Sequence, residues 1–240
     1  MFHRIYDSLL ALAYPQVCQI CQNSVENSAD GVVCRNCWKE ARIFSGKEIL
    51  CGKCGTFLRE SNIPVETFCH LCDDQFYDQA KAVGLYEKAL AASILNLKRE
   101  PFVAKNLQKL FLCAFESADF QDVDLIIPVP LSKKRRLERG FNQAEILAGI
   151  LSKKTAIQSD EKSLVRDIHT PMHRAAMDKK AREATVKNAF AVKRPHFVEN
   201  KNILLVDDVF TSGATVSSCA EVLKKNGANK IYVLTIACAD

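Results

Sequence analysis

The chain has 240 residues, enough for one ordinary domain and a small one, and an apolar content of 48% supports a packed core. No apolar run approaches the length of a membrane span, which excludes a transmembrane helix. The net charge of +5 is uneven: residues 1–78 carry 7 Lys/Arg against 10 Asp/Glu, and residues 79–240 carry 26 against 18, so a polyanionic partner would favour the second part.

In residues 1–15, Phe2, Ile5, Leu9 and Leu12 recur at helical spacing and Pro15 stops the pattern. Ala11-Leu12-Ala13 could pass for a signal cleavage site, but Asp7 interrupts the apolar stretch and the basic end holds only Arg4. The segment reads as a short docking helix.

Eight of the 11 cysteines then fall as four C-x-x-C pairs: Cys18/Cys21, Cys34/Cys37, Cys51/Cys54 and Cys69/Cys72, separated by 12, 13 and 14 residues. One such pair can be a redox motif; four at near-equal spacing fit two zinc-ribbon sites. Two-residue spacing lets both thiolates reach one tetrahedral ion. Sequential wiring is the simplest, with the first two pairs on one zinc and the last two on another; spacing alone also allows interleaved wiring. Gly52 and Gly55 suit the tight knuckle turn. The metal would supply much of the folding free energy of this part. It is either a stabilising clip or a platform for DNA or a partner. His70 lies inside the fourth pair as a bystander. Cys113, Cys219 and Cys238 sit in apolar periodic segments and read as core residues. Zinc thiolates imply the reducing cytoplasm.

After Tyr77 an α/β rhythm begins. A strand is expected over 81–86, helices over 88–99 and 102–117, and a buried strand over 123–129. A basic loop follows, then a helix over 142–153 and a short strand at 164–165. Residues 171–187 are polar and basic, and 189–192 are short and apolar. A strand over 203–206, a helix over 214–226 stopped by Gly227, and a strand over 230–237 complete the chain. Alternating strands and helices imply a mainly parallel sheet covered on both faces, with ligands at the carboxyl ends of its strands. The expected division is residues 1–78 and 79–240.

Two segments at that edge carry chemistry. Ile203-Leu204-Leu205-Val206 is followed by Asp207 and Asp208, then by Thr211, Ser212, Gly213, Ala214 and Thr215. Adjacent acids repel and resist desolvation, so a hydroxyl-rich or cation-bound ligand would explain them. A hydroxyl- and glycine-rich turn at a helix start suits a phosphate. A receiver domain also ends its first strand in two acids, but it needs further strands that the remaining chain is too short to supply. The second segment, Ser132-Lys133-Lys134-Arg135-Arg136 with Arg139-Gly140-Phe141-Asn142-Gln143, follows Pro128-Val129-Pro130-Leu131 and reads either as an anion site or as a solvated charged surface.

Residues 203–215 resemble the phosphoribosyl diphosphate (PRPP) signature of type I phosphoribosyltransferases. The resemblance implies that Asp207 and Asp208 hold the ribose 2- and 3-hydroxyls and that Thr211 to Thr215 cradle the 5-phosphate. With the cysteine pairs and Arg-Gly-Phe-Asn-Gln, nearly the whole chain resembles the ComF family, which joins an N-terminal double zinc ribbon to a phosphoribosyltransferase-like α/β domain. That family is associated with DNA uptake in natural transformation, and a relative with gluconate utilisation. By this resemblance Leu131, Ser132 and Lys133 form a diphosphate loop completed by Arg139, Asn142 and Gln143, magnesium accompanies PRPP, and single-stranded DNA and other cytoplasmic DNA-processing proteins are partners. The chain departs from the family at one stretch: Met177 and Arg182 fill expected Leu and Arg places, but His173 or Arg174 replaces a Gln and Thr185 an Asn. The alternative is an active phosphoribosyltransferase with a nitrogen acceptor, for which no base-binding loop announces itself. On the DNA reading, Phe141 and Trp38 are weak stacking candidates.

Overall fold

The computed structural model describes residues 16–58, 68–69, 72–166 and 189–239. Its centre is a parallel sheet of four strands in the order β1 (Gln79–Leu85), β6 (Ile231–Cys238), β5 (Ile203–Phe210) and β2 (Leu125–Pro128). Helices α2 (Lys88–Leu97) and α3 (Lys105–Glu116) follow β1, α4 (Lys133–Arg139) and α5 (Gln143–Thr155) follow β2, and α6 (Ala214–Lys225) joins β5 to β6. A separate antiparallel pair, β3 (Leu164–Arg166) with β4 (Phe190–Val192), lies beyond α5 in the chain. The short α1 (Arg35–Lys39) belongs to the cysteine-rich part.

All eight residues of β6 and the first four of β5 are buried, as expected of strands covered on both faces. Alternation sends Ile203, Leu205 and Val233 to one face, where they meet Val216, Cys219, Ala220 and Leu223 of α6. Leu164, Phe190 and the second set of cysteines join that core. Leu204, Val206 and Leu234 point the other way, onto α2, α3 and α5 through Ile94, Phe111 and Leu147. Each fully buried leucine here, such as Leu147, contributes about 2 kcal/mol of transfer free energy.

The outer edge of β1 is covered by the cysteine-rich part. Ile43 bridges Gly84; the Phe44 N–H donates to the Val83 carbonyl at 2.9 Å, and the Leu85 N–H to the Arg42 carbonyl at 3.0 Å. A Cβ at Gly84 would collide with the Arg42 carbonyl oxygen, which explains a glycine inside a strand.

Most expected elements form within a few residues of their sequence bounds. Two differ. The basic stretch after Pro130 is helix rather than loop: Ser132 caps α4 by accepting from the Arg135 N–H at 3.4 Å, Lys and Arg are good helix formers, and Gly140 (φ 77°) ends it. Strand β5 also runs on through both acids to Phe210, pairing Asp207 with Thr235. The expected N-terminal docking helix, His70, and the residues at 173–185 where the family pattern is broken lie outside the described residues. Among the described residues no helix is long and apolar enough to cross a membrane.

Candidate functional site

The cysteines settle into two groups, Cys18, Cys21, Cys34 and Cys37, and Cys51, Cys54, Cys69 and Cys72, each with its four sulfurs within 4.8 Å of one another. The wiring is therefore sequential. Pairs such as Cys21–Cys34 and Cys51–Cys72 lie 3.5 Å apart, near the roughly 3.8 Å that tetrahedral zinc with thiolates imposes. Backbone N–H groups of Cys34 and Cys69 donate to the sulfurs of Cys18 and Cys51 at 3.3 and 3.2 Å. This donor set fits zinc in both groups. Gln22 (φ 63°) and Gly55 (φ 68°) make equivalent left-handed turns after a C-x-x-C pair. Gln22 is exposed and tolerates a side chain; at Gly55 a Cβ would lie 2.8 Å from the Ala80 carbonyl oxygen. Gly52 needs no such freedom, since among the described residues a Cβ there would meet only Phe68, at 3.5 Å.

At the carboxyl end of β5, the Asp208 N–H donates to Asp207 Oδ1 at 2.8 Å, and Lys98, the residue that caps α2, places its Nζ 3.3 Å from Asp208 Oδ2. Burial, and then the charge of Asp208, push the Asp207 carboxyl well above its usual range. Burial and Asp207 likewise push the Cys219 thiol up. The chain then turns at Gly213 (φ 74°), where a Cβ would lie 2.8 Å from the Phe210 ring. Gly213 thus permits α6 to start directly against the strand end. Thr211 is exposed, and Ser212, Ala214 and Thr215 are half-buried around the first turn, whose N–H groups have no acceptor within the helix and suit an anion.

Opposite lies the segment after β2. Leu131 is half-buried, Ser132 is buried as the cap of α4, and Lys133 is exposed. Asn142 donates to the Val129 carbonyl at 3.0 Å and accepts from the Ala144 N–H at 3.1 Å, pinning the start of α5 to the end of β2. Gln143 donates to the Leu97 carbonyl at 3.5 Å and accepts from Arg139 at 2.9 Å. Both side chains hold the segment in shape. Burial and then Arg139 depress the affinity of Arg135 for its proton, and burial and then Arg135 do the same to Arg166. Arg135 thus lies within electrostatic reach of both Arg139 and Arg166, and Arg166 also feels the charge of Asp207. Such a cluster suits an anionic ligand.

The structure brings the two acids, the turn and the arginines to one edge of the sheet. The sequence singles out neither Lys98 nor Arg166. Arg135 lay within the basic run, whereas Lys98 and Arg166 carry no local signal and arrive by tertiary packing.

Residues 9–75 match the double zinc ribbon domain family. The chain is similar to DNA utilization protein YhgH of Escherichia coli O157:H7, 30% identical over 230 residues that cover 92% of this chain and 96% of that one. Competence protein F of Haemophilus influenzae is 29% identical with the same coverage, and competence protein ComFC of Bacillus subtilis is 26% identical over 82% of this chain and 80% of its own. Similar solved structures include glutamine PRPP amidotransferase from B. subtilis (TM-score 0.37, 15% identity, 75% of this chain and 33% of that one). They also include a Staphylococcus aureus hypoxanthine phosphoribosyltransferase (TM-score 0.35, 17% identity, 55% of this chain and 62% of that one). With 30% of positions shared over nearly the full length of both chains, the protein belongs to the ComF family of DNA utilization and competence proteins.

Proposed function

We propose that the protein binds magnesium-PRPP at the carboxyl edge of its sheet and handles single-stranded DNA in the cytoplasm during natural transformation. Asp207 and Asp208 would hold the ribose hydroxyls, and Thr211, Ser212, Gly213, Ala214 and Thr215 the 5-phosphate. Leu131, Ser132, Lys133 and Arg139 would face the diphosphate, with Asn142 and Gln143 keeping that segment in place. Magnesium would neutralise part of the diphosphate charge.

The observation that supports this reading is the pairing of opposites across one sheet edge. Two carboxylates and an amide-rich turn end β5, and Arg135 lies nearby within electrostatic reach of Arg139 and Arg166. A ligand carrying both hydroxyls and phosphates would complement the two groups together. The names of its relatives, DNA utilization and competence proteins, support the DNA part.

The test is a calorimetric titration of magnesium-PRPP into the wild type and an Asp207→Asn/Asp208→Asn variant. The wild type is expected to bind, and the variant to bind at least about tenfold more weakly, as loss of charge-assisted bonds to two hydroxyls implies. Equal affinities would refute the ribose assignment.

A further inference from the structure

Beside the diphosphate segment lies a cavity of about 610 Å³, within the roughly 300–1,000 Å³ usual for ligand sites. Its apolar lining comes from Pro130, Leu131, Leu137, Leu164 and Val165. Leu164 is buried, whereas Leu137 is 85% exposed and stands at the mouth. Among the described residues, a large aliphatic side chain held in water on this strongly basic helix has no packing reason to be there.

The polar lining is cationic. Lys133, Arg136, Arg166 and Lys193 face two carboxylates, Glu145 and Glu161, and Glu145 is already paired with Arg136. Arg166 is nearly buried, with its guanidinium carbon 5.2 Å above the Phe190 ring. The ring attracts the cation and helps to hold it in place. A braced guanidinium plane is a surface on which nucleobases stack.

We propose that this cavity takes a single unpaired base of a nucleic acid strand, stacked toward Arg166 between Leu131 and Val165, with the flanking phosphates on Lys133 and Lys193. The cavity is open to solvent where exposed Leu137 meets the basic surface of α4. That openness and the net positive rim fit a polyanion better than an enclosed small molecule. The inference rests on the strand-handling part of the proposed function and adds to it the place where a base is read.

The experiment compares labelled oligothymidylate with an abasic oligomer of equal length and charge, by fluorescence anisotropy on the full-length protein. The wild type is expected to bind the base-bearing strand about tenfold more tightly, in line with the cost of losing one stacked base. Leu137→Asp, at an exposed position where folding is safe, is expected to abolish that difference. Val165→Trp, which fills the cavity, is expected to do the same while leaving the salt dependence unchanged. Equal binding of the two oligomers by the wild type would overturn the proposal, as would discrimination that survives both substitutions. Displacement by thymidine monophosphate at the same concentration of bases would replace the strand with a mononucleotide. Loss of all oligonucleotide binding while magnesium-PRPP still binds would remove the strand-handling reading and this inference together, and leave the PRPP site standing.

Discussion

Burial, and then the adjacent charge of Asp208, push the Asp207 carboxyl above the usual aspartate value of 3.8. The folded chain therefore holds that proton to higher pH than the unfolded chain does. The group's contribution to stability is full below 3.8 and is lost as pH rises through the raised folded value. At neutral pH the group thus opposes folding, whether by holding a buried charge or by having to take up a proton, and Asp207→Asn removes that cost. The substitution is expected to raise the thermal midpoint at pH 7 by about 2–4 °C, the equivalent of about 1 kcal/mol in a chain of this size. The gain should shrink in acid, where the wild-type group is protonated as well. Scanning calorimetry at pH 7 and pH 4 reads both; an unchanged or lower midpoint at pH 7 would show that Asp207 is not under strain. The same residue is expected to tie ligand affinity to pH. A magnesium-bearing diol ligand prefers the carboxylate, so binding should strengthen as pH rises through the raised value, and Asp207→Asn should flatten that dependence.

The two cysteine groups differ in the elements they serve. The first packs with Ala89 and Ala92 of α2. The second shares a core with β5 and α6, and its exit segment lies against the turn at Gly213. Tyr77 meets Phe210 edge-on at 5.9 Å, the Phe76 N–H donates to Ser217 Oγ at 3.1 Å, and Lys53 donates to the Gln75 carbonyl at 2.9 Å. Cys51→Ser is therefore expected to weaken magnesium-PRPP binding about tenfold, while Cys18→Ser leaves it within about twofold. Titration of each variant, with circular dichroism to confirm that it is folded, measures this; equal effects would mean that the second group does not support the turn. The local part of this arrangement was readable in the sequence. An apolar run, two acids, a glycine and an amphipathic helix are contiguous, so β5 and α6 could be placed from residues 203–226 alone. Helix α4 was not readable, because it buries no residue and so shows no apolar periodicity; its caps at Ser132 and Gly140 decide it. The pairing of β3 with β4 joins two three-residue strands far apart in sequence, and nothing local specifies it. Lys98 reaches Asp208, and Arg166 approaches Asp207, only once α2 and β3 have docked.

Composition changes sharply near residue 78, yet the backbone and the core cross that point repeatedly. The edge of β1 is hydrogen-bonded to Arg42 and Phe44, and the Ala80 N–H donates to the Lys53 carbonyl at 2.6 Å. Cys51, Cys54, Cys72 and Tyr77 sit in the same core as Leu205 and Val233. The exposed ion pairs Arg42–Glu87 and Lys88–Glu40, both 2.8 Å, also cross the divide but contribute little in water. Removing residues 1–78 would bare a strand edge and one flank of the sheet's apolar core, which invites edge-to-edge association. A fragment of residues 79–240 is therefore expected to unfold over a broad range, to bind a hydrophobic dye and to aggregate, while the zinc-loaded full chain melts in one cooperative transition. Chelation of the full chain should move it toward the fragment's behaviour, because metal binding and folding of the ribbon are one equilibrium. Calorimetry of the three samples decides the matter. A fragment that melts sharply at the midpoint of the whole chain would show that the sheet stands without the ribbon, and that the contacts across residue 78 add no stability to it.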